Sequence, residues 1–244
     1  MPRYAIANDV INSVALEIGL NPEVDPYGSN DDSFVQLRGL LNAAGQELVE
    51  YWPWQFLKSV YEFTTSLPNN GEYDLPDDFC YMIDQTGWDR SNNLPLGGPL
   101  SSQDWTCLLG RDLATSTIYA SFRQWDGKLQ LFPIPAPDGL DISFEYVSRN
   151  WVGVTGSAEF TKDAAEQGTD IIAYEPILIK KFLKAKFLEA KGFDSSGAKM
   201  DFENMFNSRT GKDTGAPILS ASNRSAFPYL DVYRNVGDSG YGLP

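Results

Sequence analysis

The first fifty residues carry apolar positions at a helical period. Ile6, Val10, Val14 and Ile18 recur every four residues, which lines one face of a helix over residues 4–18 that Gly19 caps. The polar loop NPEVDPYGSNDD follows, with Ser33 at the expected N-cap of a second helix. There Phe34, Leu37, Leu41, Ala44 and Leu48 step by three and four until Trp52-Pro53 stops the pattern. The connection is short, so the two helices are expected to form an antiparallel pair.

From WQFLKSVYEFTTSL onward the texture changes to β-branched and aromatic residues punctuated by Pro and Gly. PNNG (68–71) predicts a hairpin turn and EYDLP the returning strand, because Asn and Gly tolerate positive φ. SSQDW opens one short helix, with Ser101 and Asp104 at capping-box spacing. STIYASFRQ, the Asp126-Gly127 turn, KLQLFPI, the Pro137-Asp138-Gly139 turn and DISFEYVS predict three strands in meander order. Pro133, Pro135 and Pro137 cannot donate ladder hydrogen bonds and put that corner at a sheet edge or end.

A helix returns at Tyr174, with Ile179, Phe182, Leu183, Phe187 and Ala190 on its apolar face and Gly192 at its end, and GAKMDFENMFNSR supplies a further amphipathic segment. After Gly211 the chain is rich in Gly, Ser, Asn and Pro yet keeps Ile218, Leu219, Phe227, Tyr229, Leu230 and Tyr233. A linker needs fewer apolar anchors and a folded domain more, so this is an arm that orders on a partner.

Strands segregated between helices, rather than alternating with them, predict an α+β fold. The expected organisation is an antiparallel helical bundle built from residues 1–52 and 174–211, a central and mainly antiparallel β region over 53–173, and an extended C-terminal arm over 212–244.

Composition narrows the chemistry. Hydrophobic residues make up 42% of the 244, enough for a real core, and no apolar run is long enough to span a membrane. The net charge of −14 disfavours bulk binding to nucleic acid or anionic lipid. It is uneven: residues 1–173 carry nine basic against 25 acidic side chains, residues 174–244 ten against eight. The C-terminal part is therefore the candidate for meeting an acidic partner.

The chain has no histidine, which removes Ser-His-Asp and Cys-His nucleophile activation and the usual metal sites. Asp31-Asp32 and Asp77-Asp78 are the remaining acid pairs, read as solvated turn or N-cap residues rather than a glycosidase pair. The loop from Asp25 to Asp32 departs from EF-hand spacing at Tyr27, and Gly237, Gly240 and Gly242 match no phosphate or dinucleotide loop. No metal or cofactor is expected. Cys80 and Cys107, 27 positions apart, are read as small buried residues with a bridge between them as the alternative, and the tryptophans at 52, 54, 88, 105, 125 and 151 mainly as packing residues. Lys180, Lys181, Lys184, Lys186 and Lys191 make one basic helix in an acidic protein, either a solvated face or a complement to an acidic surface.

Taken in order, NDVINSVALEIGLNP, SNDD, LLNAAGQELVEYWPWQF, EYDLPDDF, LSSQDW and WDGKLQLFPIPAPDGLDISFEYVS resemble the head-to-tail adaptor (connector) proteins of short-tailed double-stranded DNA bacteriophages, the tail tubular protein A group. The resemblance covers about residues 4–190. It implies a non-enzymatic virion protein at the head-tail junction, assembled in the host cytoplasm. In that role a ring, usually a dodecamer, docks on the portal, continues the DNA channel without binding DNA specifically, and supports the next tail component, a nozzle or tail tube. Carried onto this chain, the portal-docking residues are Lys180, Lys181, Lys184, Lys186 and Lys191 with the arm anchors Phe227, Tyr229 and Tyr233. The alternative is a virion-associated carbohydrate-binding or cell-wall-degrading module built on the Trp-rich β region.

Overall fold

A computed structural model describes residues 4–110, 121–134, 136–157 and 159–213. In chain order these form β1 (Ala5–Ile6), α1 (Ala7–Glu17), α2 (Asp32–Tyr51), β2 (Lys58–Thr64), β3 (Glu72–Asp74), β4 (Phe79–Met82), β5 (Trp88–Asp89), β6 (Leu94–Pro95) and α3 (Ser102–Gly110). Then come β7 (Ser121–Trp125), β8 (Lys128–Phe132), β9 (Asp141–Ser148), β10 (Val152–Gly153), β11 (Phe160–Lys162), β12 (Ile171–Ile172), α4 (Pro176–Ala190) and α5 (Ser196–Asp213). The fold is mixed α+β, and every strand pairing between these elements is antiparallel.

The helical periodicity is realised with shifted ends. Ala5 and Ile6 pair with Ile172 and Ile171 as a short strand, so α1 begins at Ala7, with Val10 and Val14 buried as expected. The first turn of α1 has no side-chain cap; Ala7 N and Asn8 N donate instead to the carbonyls of Asp170 and Gly168, at 2.9 Å each. Asp31, not Ser33, caps α2: its carboxylate accepts from Ser33 N at 2.7 Å, because the helix starts two residues earlier than the apolar pattern suggests. Phe34, Leu37, Leu41, Ala44 and Leu48 are all buried.

The β region corrects two expectations. Asn70 and Gly71 do adopt positive φ, but they redirect the chain between sheets: β2 pairs with β9, while β3 pairs with β8. The Asp126-Gly127 turn does close a two-residue hairpin of β7 on β8, with φ of 53° and 71°. The third strand, however, does not extend that meander. β9 becomes the centre of another sheet, bonded to β2 along one edge and to β4 and β5 along the other.

The reason lies in side-chain volume on both faces of β9. Ile142, Phe144 and Tyr146 join a cluster with Tyr73, Phe122, Leu129 and Leu131, whereas Val147 joins the helical cluster with Trp54, Leu57 and Trp151. On the first face Ile142, Phe144, Tyr146 and Ser148 are all buried, and on the second Ser143 and Val147 are buried between exposed Asp141 and Glu145, so most of the strand's backbone polar groups find their partners on its two edges.

Two close approaches fasten the helices to the sheets. Gly45 in α2 lies against the fully buried Trp151 ring, where an added Cβ would stand 2.2 Å from Cζ2. The Tyr174 hydroxyl donates to the Gly45 carbonyl at 2.9 Å. Asn42 holds the 163–170 loop by accepting from Ala165 N at 2.9 Å and donating to its carbonyl at 3.1 Å. Within that loop the buried Asp170 carboxylate accepts from Glu166 N and Gln167 N at 2.8 and 2.9 Å and faces Lys162 at 3.4 Å.

Candidate partner-binding site

The sequence points to α4, and the local signals that make it a helix are clear. Pro176 occupies the first turn, where its missing N–H costs nothing. At the other end Gly192 adopts a φ of 75°, Gly192 N donates to the Glu189 carbonyl at 3.0 Å, and Phe193 N to that of Leu188 at 2.9 Å. These two bonds are a Schellman motif, which satisfies carbonyls the helix leaves open.

α4 packs on α1, α2 and α5. Leu178, Ile179, Phe182, Leu183, Ala185 and Phe187 are buried in those contacts, whereas Ala190, expected on the apolar face, is exposed in the last turn. Three ion pairs join α4 to α5 with opposite numbering trends: Glu175 to Arg209 at 2.9 Å, Lys181 to Asp201 at 3.4 Å and Glu189 to Lys199 at 2.8 Å. Together with Phe182 stacked on Phe202 at 4.1 Å between centroids, they make α4 and α5 antiparallel.

Most of the predicted docking lysines are engaged inside the subunit. Lys184 pairs with Glu17 of α1 at 2.9 Å, and Lys186 with Glu47 of α2 at 2.6 Å while its ammonium lies 4.8 Å from the Phe182 ring centre. Lys191 sits over Phe187 at 5.4 Å. Lys180 has no ion-pair partner among the described residues. Exposed pairs of this kind contribute only about 0–1 kcal/mol each, so their lysines can exchange carboxylate partners at little cost. The arm anchors Phe227, Tyr229 and Tyr233 lie outside the described residues.

A groove of about 520 Å³ runs between α4 and α5 beside the end of α1. Its α4 wall is the row Ile177, Lys181, Lys184 and Leu188, spaced four, three and four, and its α5 wall includes Met200 and Asp201. Ile177 is 47% exposed and Met200 60%, with Leu16 of α1, 61% exposed, next to the groove residue Glu17. The sequence carried this signal as a second apolar row on α4, masked by the lysines between its ends.

Elsewhere, polar groups are absorbed by local structure. The Asp78 carboxylate accepts from the Tyr146 hydroxyl at 2.9 Å. Asp25 accepts from Tyr27 N at 3.2 Å and from the Asn8 amide at 3.4 Å. Both cysteines are free, and neither is fully buried: Cys107 is exposed on the outer side of α3, and half-buried Cys80 donates to Glu50 at 3.2 Å. Burial first, and then the Glu50 carboxylate, push the Cys80 thiol up to about 12, which leaves it un-nucleophilic.

Trp54, Trp105 and Trp151 are buried and unavailable for stacking sugars. Trp125 is 53% exposed, and the Arg123 guanidinium fills the space between it and Trp105, 4.9 and 4.6 Å from the two rings. Among the described residues no cluster of three acidic or cysteine side chains is arranged to hold a metal ion, and no helix is long and apolar enough to cross a membrane.

No curated protein sequence matches the chain. A family model described as SU10 adaptor protein matches residues 6–226, from the strand before α1 through all the described helices. A match of that extent covers both hydrophobic clusters and the α4–α5 groove alike, and the chain belongs to the SU10 adaptor protein family, a family of bacteriophage adaptor proteins.

Proposed function

We propose that this protein is a structural head-to-tail adaptor of the tail tubular protein A type, which docks on the phage portal, closes into a ring and presents a platform to the next tail component. The observation that carries this reading is the adaptor-family match over residues 6–226. The charge distribution agrees: strongly acidic residues 1–173 repel phosphates if they line a DNA channel, and the helical C-terminal part carries the surplus of basic side chains. Twelve copies acting together let individually modest contacts hold firmly, provided the interface between neighbours is heterologous and closes. Docking falls to the arm and to α4 lysines released from weak internal pairs. The role is structural rather than enzymatic, and it places the protein in the virion.

The test is light scattering of the purified chain, alone and mixed with the portal protein encoded by the same genome. One large stoichiometric complex, formed with portal and lost on deleting residues 212–244, is the expected result. Two separate species with intact C-termini would overturn portal docking.

A further inference from the structure

We propose that residues 226–233, AFPYLDVY, occupy the α4–α5 groove of their own chain before assembly, so that the arm is stored on the surface it later leaves. Three features of the groove specify its occupant. The first is an apolar lining that no other described residue covers: Ile177 and Met200 are 47% and 60% exposed, and Leu188 lines the groove with them. Apolar surface of this kind gains about 25 cal/mol per Å² on being covered. The second is its shape. The row from Ile177 to Leu188 is about 16 Å long at the helical rise, the span of roughly five extended residues. AFPYLDVY offers Phe227, Tyr229, Leu230 and Tyr233 as anchors over such a length.

The third feature is charge. Lys181 and Lys184 already face Asp201 and Glu17, so among the described residues the groove's remaining lysine, Lys180, is left without an ion-pair partner. The segment brings one carboxylate, Asp231, among its apolar side chains. Residues 214–244 contain two arginines and two aspartates, so nothing in the arm's net charge opposes the approach.

The connection is long enough. α5 ends at Asp213, and Met200 lies thirteen residues before that end, about 20 Å back along the helix. The thirteen residues from 214 to 226 reach about 43 Å when extended, twice the distance needed. Tethering at this length gives an effective concentration near the millimolar range, which favours a chain's own groove over that of another copy. A partner that takes the arm must then compete with the groove, and apolar surface on α4 and α5 is uncovered only when the partner is present.

The proposal stands apart from portal docking, because its test contains no portal protein. The full chain is digested briefly with chymotrypsin, and cuts after Tyr229 and Tyr233 are timed by mass spectrometry in four proteins: the natural chain, Ile177→Glu/Met200→Glu, Lys180→Glu and Lys180→Glu/Asp231→Lys. Ile177 and Met200 are exposed and Lys180 is half-buried, and far-UV circular dichroism checks that the variants fold. The expected result is cleavage about tenfold faster in the Ile177/Met200 variant, corresponding to about 1.4 kcal/mol of lost docking. Lys180→Glu is expected to accelerate it less, with protection restored by Asp231→Lys. Equal rates in all four proteins overturn the proposal. So does protection that falls on dilution, which would assign the groove to a second copy.

Discussion

Replacing Gly45 with Ala tests the joint between α2 and the sheets. On helical propensity alone the change stabilises by about 1 kcal/mol, since glycine is the more flexible residue in the unfolded chain. The packing argues the reverse. The new methyl would stand 2.2, 2.3 and 2.4 Å from Cζ2, Cε2 and Cη2 of Trp151, where carbon atoms normally approach to about 3.5 Å. The indole has no free side to retreat to: it is fully buried, with Tyr174 5.7 Å away on its other flank. Overpacking of this order costs about 3 kcal/mol, and pushing the helix away also weakens the Tyr174 bond to the Gly45 carbonyl, worth about 1 kcal/mol. Set against the propensity gain, the net loss is about 3 kcal/mol. Gly39 in the same helix is the control, because it is exposed and a Cβ there meets nothing within 4 Å. Gly39→Ala is expected to gain up to about 1 kcal/mol. With a urea dependence of about 3 kcal/mol per molar, Gly45→Ala lowers the unfolding midpoint by about 1 M and Gly39→Ala raises it by about 0.3 M. If both variants shift upward together, the account of the Trp151 joint is wrong.

Tyr174→Phe removes the buried hydroxyl alone and is expected to cost about 1–2 kcal/mol by the same urea assay, with the fold retained in circular dichroism. Asp170→Ala leaves the N–H groups of Glu166 and Gln167 without their acceptor and loosens the loop that closes the start of α1; a loss of roughly 3 kcal/mol should register in thermal and urea unfolding. Iodoacetamide at pH 8 should modify exposed Cys107 and spare Cys80 until urea is added, as read by mass spectrometry. Stability should also fall in alkali. Burial, as the largest cause, raises Cys80, Tyr81 and Tyr146 to about 12 from their ordinary values of 9.0 and 10.0, so the native state favours their neutral forms. Their contribution is complete below about pH 9 and is lost as pH climbs toward 12, so the urea midpoint should stay flat from pH 7 to 8 and decline from about pH 9 upward.

Local features were legible in the sequence because their causes are local. The spacing of Val10, Val14, Phe34, Leu37 and Leu41 set the buried faces of α1 and α2, and Gly192 ended α4 through its own left-handed backbone. Asp126-Gly127 made a hairpin because both positions tolerate positive φ. Ser101 capped α3, its hydroxyl accepting from Asp104 N at 3.1 Å. The motifs from NDVINSVALEIGLNP to DISFEYVS, taken in order, resembled phage head-to-tail adaptors, and the family match supports the coarse form of that resemblance.

Tertiary structure decided what depends on residues far apart. No local signal separates a meander from two separate sheets, so the departure of β9 from β8 emerged only when its side chains were seen to divide between two hydrophobic clusters. The lysines of α4 looked like a free basic face because a sequence displays charge without its neighbours. Folding brings Glu17, Glu47 and Asp201, 139 to 167 residues away in the two longest cases, within reach of three of them. Composition gave the sign of the charge on α4; the packing of α1, α2 and α5 determined how much of that charge is left for a partner.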